Sequence, residues 1–268
     1  MRRLAIHGEE FCHGSDSFAV SQNNHEEVRD SGRAPRALAG SPDPEQARRN
    51  VNNLLGSPTL GVNYLQELIN RSPVAIPEDA VEQLRLFTKR FSRRGTFYNV
   101  VFCDGPRLLF PGVFLSRLEF GWKGFPAVAL SEPGGFVRVN PVREVCSGTN
   151  GTALDADVTH FDHVLIESDV LPIETQARML MYLLDQGMPI ISAVHTGGKS
   201  IHALVQLGAD SAEEFRSEAR DLFRSLRPFG FDMSVGNPSR MTRLPGCRRI
   251  LPDGREVAQR LLYFTKLP

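Results

Sequence analysis

Three short segments carry acidic and basic side chains in a fixed order along the chain. They read HVLIESD at 163–169, HTGGKSIH at 195–202 and FDMSVGNPSRMTRLPGCRR at 231–249. Together they supply carboxylates suited to a divalent cation, a lysine and a histidine suited to phosphate, and several arginines. This combination indicates metal-assisted chemistry on phosphate groups, of the kind used in nucleotidyl transfer.

In the first segment, Glu167 and Asp169 directly follow the apolar run at 164–166. Such a run is typical of a buried strand, and residues two apart on a strand point to the same side. Both carboxylates therefore face one space, where a hard cation would find oxygen ligands. The pattern alone is equally compatible with two solvated acids at a strand end.

The second segment predicts a hairpin, with strands at 190–194 and 201–207 joined by a glycine-containing turn. Lys199 in the turn is a point charge suited to phosphate. Ser200 and His202 share one face of the returning strand and would look toward the carboxylates. A phosphate-binding P-loop is disfavoured, because that motif needs glycine where Ala193 stands and a helix after the serine.

The third segment places Asp232 after an apolar stretch and then four arginines, Arg240, Arg243, Arg248 and Arg249, among proline and glycine. Such spacing favours a phosphate-binding loop over a helix face. For Arg248 and Arg249 an ordinary solvated basic loop fits equally well. With Glu167 and Asp169, Asp232 would complete three carboxylates for one or two Mg²⁺ or Mn²⁺ ions.

The order of these motifs resembles the archaeo-eukaryotic primase superfamily, above all the primase and primase-polymerase domains of phages, prophages and plasmids. The likeness rests on E-x-D, then G-G-K-S-x-H, then a hydrophobic residue with Asp followed by N-P-S-R-x-x-R-L-P-G. The strand at 136–141, with its R-x-N-P pattern, and Asp157-Val158 leading to Phe161 are also similar to these proteins. The resemblance covers about 135–249 of this chain.

The resemblance implies an enzyme, a DNA primase or primase-polymerase, that synthesises RNA or DNA primers on single-stranded DNA from nucleoside triphosphates. Glu167, Asp169 and Asp232 would bind two Mg²⁺ or Mn²⁺ ions, and His202 would contact the incoming nucleotide's phosphates. The first motif departs from the usual D-x-D or D-x-E but keeps both carboxylates. The remaining implied nucleotide or phosphate contacts are Lys199, Ser200, Arg240, Arg243 and Arg138.

The expected fold is α+β, a two-lobed primase core with one lobe like an RNA-recognition-motif sheet and the active site between the lobes. Residues 1–46 are poor in aliphatics and predict a mostly disordered segment, 47–95 a helical segment, and 96–268 the catalytic core. Helices are predicted from Pro44, at 77–91, at 174–185 and at 212–226. Trp122 and Phe125 could stack on a base, but we favour a packing role for both.

Composition excludes some classes of protein. The chain has 31 basic and 31 acidic residues and a pI near 7.1, so it lacks the basic footprint of a tight duplex binder. Its four cysteines have no C-x-x-C spacing, which disfavours a zinc knuckle and suits a reducing cytoplasm. No apolar run reaches the ~20 residues of a membrane span. No Walker motif is present, so we expect a separate helicase as partner.

Two other functions remain open at this stage. The chain could be a template-binding relic of a primase, although an intact set of Glu167, Asp169, His202 and Asp232 argues against decay. It could also be another metal-dependent phosphoryl-transfer enzyme, such as a nuclease. A nicking enzyme would need a tyrosine nucleophile near a histidine cluster, and the four tyrosines lie away from any such cluster.

Overall fold

The computed structural model describes residues 43–89, 96–104, 107–110, 112–116, 119, 124–251 and 253–265. Helices and antiparallel sheets are both present, which confirms the predicted α+β class. Most of the segment predicted to be disordered, together with Trp122, lies outside the described residues. Within the described part of the chain, no helix has the length and apolar character needed to cross a bilayer.

The chain begins its described part with three helices, α1 (Pro44–Leu55), α2 (Tyr64–Asn70) and α3 (Ala80–Thr88). Each is preceded by an Asp or Asn whose side chain accepts a hydrogen bond from a backbone N–H of the first turn, the usual N-cap arrangement. The capping residues are Asp43, Asn63 and Asp79. Because Asp79 is the cap, α3 begins three residues later than the prediction at 77–91.

The first sheet has four antiparallel strands in the order β4-β1-β5-β9. Its strands are β1 (Phe97–Val101), β4 (Val113–Ser116), β5 (Phe136–Arg138) and β9 (Met241–Arg243). A small hairpin, β2 (Cys103–Asp104) with β3 (Arg107–Leu108), follows β1, and α4 (Phe125–Ser131) precedes β5. Phe125 is buried in the hydrophobic core, which agrees with a packing role.

The second sheet has the order β12-β7-β8-β6 and is also antiparallel throughout. It comprises β6 (Phe161–Ile166), β7 (Ile190–His195), β8 (Ile201–Ala209) and β12 (Arg260–Phe264). The predicted hairpin is β7–β8, and because a strand rather than a helix follows Ser200, the segment is not a P-loop. A separate hairpin, β10 (Arg248–Ile250) with β11 (Glu256–Ala258), precedes β12.

Two amphipathic helices pack against the second sheet, α5 (Ile173–Asp185) between β6 and β7 and α6 (Ala212–Leu226) after β8. Both confirm the predicted helices at 174–185 and 212–226. Their apolar faces are buried, and the ring of Phe215 on α6 lies 5.8 Å from that of Phe161 on β6. This contact holds the start of β6 against α6, at the end of the strand opposite the E-x-D motif.

The N-terminal helices share one hydrophobic core with the second sheet, since Val51, Leu68 and Phe87 belong to the same cluster as the β6–β8 side chains. A buried polar contact reinforces this packing. Arg178 on α5 donates to the backbone oxygens of Leu55 (3.3 Å) and Gly56 (2.6 Å), at the C-terminal end of α1. Its guanidinium also lies 5.3 Å from the ring centre of Tyr64 at the start of α2.

The two sheets are joined by the side chain of Asn140, which is fully buried just after β5. Its Oδ1 accepts from the backbone N–H of His163 at 2.8 Å, and its Nδ2 donates to the backbone oxygen of His163 at 2.8 Å. The same Nδ2 donates to the backbone oxygen of Pro238 at 3.0 Å. One amide thus binds the end of β5 to β6 and to the N-P-S-R loop.

Replacing Asn140 by alanine removes all three hydrogen bonds and leaves buried backbone groups without partners. We expect Asn140→Ala to lower the free energy of unfolding by about 2–4 kcal/mol. Urea denaturation would measure this, with Asn53→Ala on the exposed face of α1 as the matched control. The control should stay within about 1 kcal/mol of wild type. An equal loss in both variants would contradict the joining role.

Candidate active site

The E-x-D motif directly follows β6 and lies opposite the start of β8. The last pair of the β6–β8 ladder is Ile166 opposite Ala203. Continuing this antiparallel register sets Glu167 opposite His202 and Asp169 opposite Ser200. The contacts agree with this, because Glu167 reaches His202 and Asp169 reaches Ser200. The predicted common face of the two carboxylates and the Ser-x-His pair is therefore present.

Glu167 is the most buried carboxylate of this face, with only 9% of its surface exposed. Its Oε2 lies 2.7 Å from Nε2 of His202, and its Oε1 lies 3.9 Å from a guanidinium nitrogen of Arg240. Burial alone would raise the pKa of Glu167, but His202, Arg240 and Arg243 outweigh it and lower the pKa to about 2. Glu167 is therefore a buried anion that is stabilised by its contact with His202 and by the nearby arginines.

The ring of His202 is oriented by contacts at its second nitrogen, Nδ1. Nδ1 lies 3.4 Å from the backbone N–H of Arg243 and 3.4 Å from the hydroxyl of Thr242, both on β9. Because a backbone N–H only donates, Nδ1 is the acceptor and the proton belongs on Nε2. That proton points to Glu167, so a strand of the first sheet sets the tautomer of a histidine on the second sheet.

Asp169 pairs with a lysine and a serine beside the Glu167–His202 pair, in a more exposed position. Its Oδ2 lies 3.1 Å from Nζ of Lys199, and its Oδ1 accepts from the hydroxyl of Ser200 at 2.9 Å. The side chains of Lys199 and Asp169 are 59% and 46% exposed, respectively. An incoming anion or cation can therefore reach this pair from solvent without the core being opened.

The glycine turn between β7 and β8 lies directly against the β10–β11 hairpin. Gly197 has φ +73°, and a Cβ there would approach Val257 to 2.8 Å. A Cβ on Gly198 would lie 2.6 Å from a guanidinium nitrogen of Arg249. The glycines thus permit a close approach to protein, and they bring Arg249 next to the turn that carries Lys199. Arg248 points elsewhere and pairs with Glu256 at 2.8 Å.

Asp232 lies next to Glu167 through the backbone, since its N–H donates to the backbone oxygen of Glu167 at 2.9 Å. Its carboxylate accepts from the N–H and the hydroxyl of Ser234, both at 2.8 Å. Asp232 thereby caps a short 3₁₀ turn, Met233–Val235. The side chain is only partly buried, so the carboxylate stays accessible to a ligand.

The N-P-S-R loop is held by two charged residues. Asp155, which no sequence motif singles out, accepts from the N–H and the hydroxyl of Ser239 and from the amide of Asn237. Arg138 is only 5% exposed and donates to Asn99 and to the backbone oxygen of Ser239. Burial lowers its pKa to about 10. The resemblance predicts a phosphate contact for Arg138, but here its guanidinium supports the loop.

Arg243 and Arg240 leave the loop in different directions. The guanidinium of Arg243 lies 3.7 Å from the ring centre of Phe136, a stacked cation–π contact. Arg240 approaches Glu167 and keeps 25% of its side chain exposed. Lys199 and Arg240, both predicted to bind phosphate, thus lie against site carboxylates in this structure.

Gln176 is a further site residue that the sequence motifs do not include, although a signal for it exists. It stands on α5 at helical spacing with Ile173, Ala177 and Leu180, so a polar residue lies on an apolar face. In the structure its amide bonds to the backbone of Lys199 and Ile201. No comparable periodic signal marks Asp155, which begins a 3₁₀ turn of only three residues, Asp155–Asp157.

The three carboxylates have donor oxygens of the type that Mg²⁺ and Mn²⁺ prefer, so their chemistry fits such a cation. Their present arrangement does not gather them around one point. Across the described ranges, no three His, Cys, Asp or Glu side chains are grouped so that they could hold a metal ion. Instead Glu167 faces His202, Asp169 faces Lys199, and Asp232 faces Ser234.

Comparison with known proteins gives one structural likeness to report. No family model and no curated protein matches the chain. Among solved structures, the AEP domain of the cyanophage S-2L primase-polymerase is similar, with 21% sequence identity and a TM-score of 0.44. The likeness covers 66% of this chain and 87% of that one. The residue roles given below therefore rest on the geometry of the site itself.

The low pKa of Glu167 predicts how stability changes in acid. A carboxyl whose folded pKa lies near 2, below its ordinary value of 4.5, stabilises the fold above pH ~4.5 and loses that effect as pH falls toward 2. In EDTA, the difference in unfolding free energy between wild type and Glu167→Gln should narrow by about 2 kcal/mol from pH 5 to pH 3.

Urea titrations at several pH values would measure this difference. The matched control is Glu256→Gln, which removes an exposed ion pair with Arg248. Exposed pairs are worth little, so the control should change stability by less than about 1 kcal/mol at every pH. A pH-independent difference for Glu167→Gln would show that His202 and Arg240 do not hold an anion there.

Proposed function

We propose that this chain is a metal-dependent nucleotidyltransferase of the primase-polymerase type, extending or starting a strand on a single-stranded DNA template. The observation that carries the proposal is the pairing, on one face, of site carboxylates with cations and hydrogen-bond donors. Glu167 lies against His202 and Arg240, and Asp169 lies against Lys199. A triphosphate and a divalent cation are together the ligand that would satisfy both sets of charges.

Binding would exchange partners within the site. Lys199 and Arg240 would turn from their carboxylates to the phosphates, with the hydroxyl of Ser200 and the Nε2 proton of His202 as further donors. Asp169, Asp232 and Glu167 would then be released to hold Mg²⁺ or Mn²⁺. The cation would supply charge neutralisation as the 3′-oxygen bonds to the α-phosphorus, the bond to the departing pyrophosphate breaks and the hydroxyl proton leaves to solvent. The protein side chains bind, orient and neutralise, which is most of what phosphoryl transfer requires.

The direct test is strand synthesis by the purified chain. The reaction would contain single-stranded DNA, labelled ribo- or deoxynucleoside triphosphates and Mn²⁺ or Mg²⁺, with and without a preformed primer. Products without a primer would establish a primase, and products only with one would establish a polymerase that needs a primer. Shortened template would point to a nuclease. Bound but unchanged template would point to a template-binding protein without activity.

The carboxylate roles predict the effect of isosteric amides. Asp169→Asn and Asp232→Asn should each lower the rate of synthesis by at least ~100-fold, because each removes a charge that neutralises the transition state. The amide oxygen that replaces the Asp169 carboxylate can still accept from Ser200, so the fold should persist. Asp253→Asn, which breaks an exposed contact with Arg255, should leave the rate within about two-fold. Normal rates in either site variant would refute its assignment.

Because Lys199 would exchange Asp169 for phosphate, replacing it should change the affinities for metal and for nucleotide in opposite directions. Lys199→Met frees Asp169 from its cation, so binding of Mn²⁺ in the absence of nucleotide should strengthen several-fold. Binding of a nucleoside triphosphate should weaken in the same variant, because a phosphate partner is lost. Electron paramagnetic resonance of free Mn²⁺ and a fluorescent nucleotide would measure the two affinities. Changes of the same sign in both would contradict the exchange.

A further inference from the structure

The side chain of Gln176 bonds to the backbone on both sides of Ser200. Its Nε2 donates to the backbone oxygen of Lys199 at 2.8 Å, and its Oε1 accepts from the N–H of Ile201 at 2.8 Å. Nε2 also donates to the backbone oxygen of Leu171 at 2.7 Å, just ahead of α5. Gln176 is only 2% exposed, so these three bonds are made away from water.

The side-chain amide of Gln176 lies beside the turn, on the side where pairing with β6 has ended. The β6–β8 ladder ends with the pair Ile166–Ala203, and the chain of β6 then departs into the E-x-D motif. Beyond that pair the backbone from Lys199 to Ile201 forms no ladder pair with this chain segment, although the side chain of Asp169 still reaches Ser200. The opposite side of this backbone is still bonded, because Thr196 donates to the oxygen of Ser200 through its N–H and its hydroxyl. Gln176 therefore makes the hydrogen bonds to Lys199 and Ile201 that a neighbouring strand would otherwise make.

The position of this backbone decides where two site groups lie. Lys199 and Ser200 reach opposite oxygens of Asp169, at 3.1 Å and 2.9 Å. Lys199 is long and its side chain is 59% exposed, so its own contacts fix it weakly. The Gly197–Gly198 pair before it adds backbone freedom. The buried amide on α5 limits this freedom from the side of Lys199 and Ile201, where it adds to the Thr196–Ser200 bonds and to the packing of the glycines on the β10–β11 hairpin.

We propose that Gln176 is a positioning residue that sets the site's affinity for the triphosphate of a nucleotide, acting through Lys199 and Ser200. The inference rests on the proposed function of the site. Its physical basis is preorganisation: a lysine and a hydroxyl held in place bind phosphate more tightly than the same groups on a loose turn, since less conformational freedom is lost on binding. Gln176 itself touches no reacting atom.

The chain offers a matched control in Gln83 on α3. Gln83 is also buried, and it also bonds to backbone groups at both ends of its amide. Its Nε2 donates to the oxygen of Pro77 and its Oε1 accepts from the N–H of Leu261, both at 2.8 Å. These contacts lie on β12 and on the segment before α3, and neither of them is made to the backbone of 197–200. Gln83→Met therefore reports the general cost of losing a buried amide.

The experiment compares wild type, Gln176→Met and Gln83→Met by thermal unfolding and by titration with a fluorescent ribonucleoside triphosphate in Mn²⁺. Both variants should melt at lower temperature than wild type. Gln176→Met should bind the nucleotide about 10-fold more weakly, while Gln83→Met should bind it within about two-fold of wild type. In strand synthesis, Gln176→Met should raise KM for the nucleotide with kcat changed less than about three-fold.

A double-mutant cycle tests whether the effect passes through Lys199. In a Lys199→Met background, adding Gln176→Met should weaken nucleotide binding by less than about three-fold. Equal affinities of wild type and Gln176→Met, equal losses in both glutamine variants, or additivity with Lys199→Met would each overturn the inference while leaving the proposed function intact. Absence of nucleotide binding by wild type would overturn the proposed function, and the inference with it.

Discussion

The arrangement of this molecule depends on one buried carboxylate. Glu167 sits at the end of a core strand, and a charge in that position is tolerated only when opposite charges and hydrogen bonds surround it. Its partners come from two different sheets: His202 belongs to β8, and Arg240 directly precedes β9. The contacts of this single anion therefore bring the edge strand β9 of the first sheet next to the start of β8, an inner strand of the second sheet.

The residues around Glu167 follow a similar rule, because they too satisfy polar groups that come from different segments. Asn140, Gln176 and Asp155 each use one side chain to satisfy two or more polar groups from segments distant in sequence. Each buried bond is worth about 1 kcal/mol net, but leaving a buried partner unsatisfied costs more, so the buried amides of Asn140 and Gln176 specify one arrangement sharply. The exposed site residues Lys199 and Asp169 are attached to this buried framework, and their side chains are among those that would have to change partners.

The parts of the fold that follow local rules were predictable from the sequence. The β7–β8 hairpin and helices α5 and α6 come from apolar periodicity and glycine placement, and alternation along strands placed Asp169 and Glu167 toward Ser200 and His202. What the sequence did not reveal was which charge would take which partner, because that choice depends on burial. Arg138 was expected on phosphate, yet it lies in the interior and supports the loop. The roles of Asp155 and Gln176 depend on contacts between remote segments, which neither periodicity nor motif spacing specifies.

Helix α5 contacts both the N-terminal helices and the turn that carries Lys199. Two residues beyond Gln176 on the same helix, Arg178 holds the carbonyl end of α1 and stacks on Tyr64 of α2. Residues two apart on a helix lie about 200° apart around its axis, so Gln176 and Arg178 leave α5 on different sides. Gln176 bonds to the backbone on either side of Ser200, and Arg178 bonds to the end of α1. The N-terminal helices and the Lys199 turn therefore share one support, helix α5.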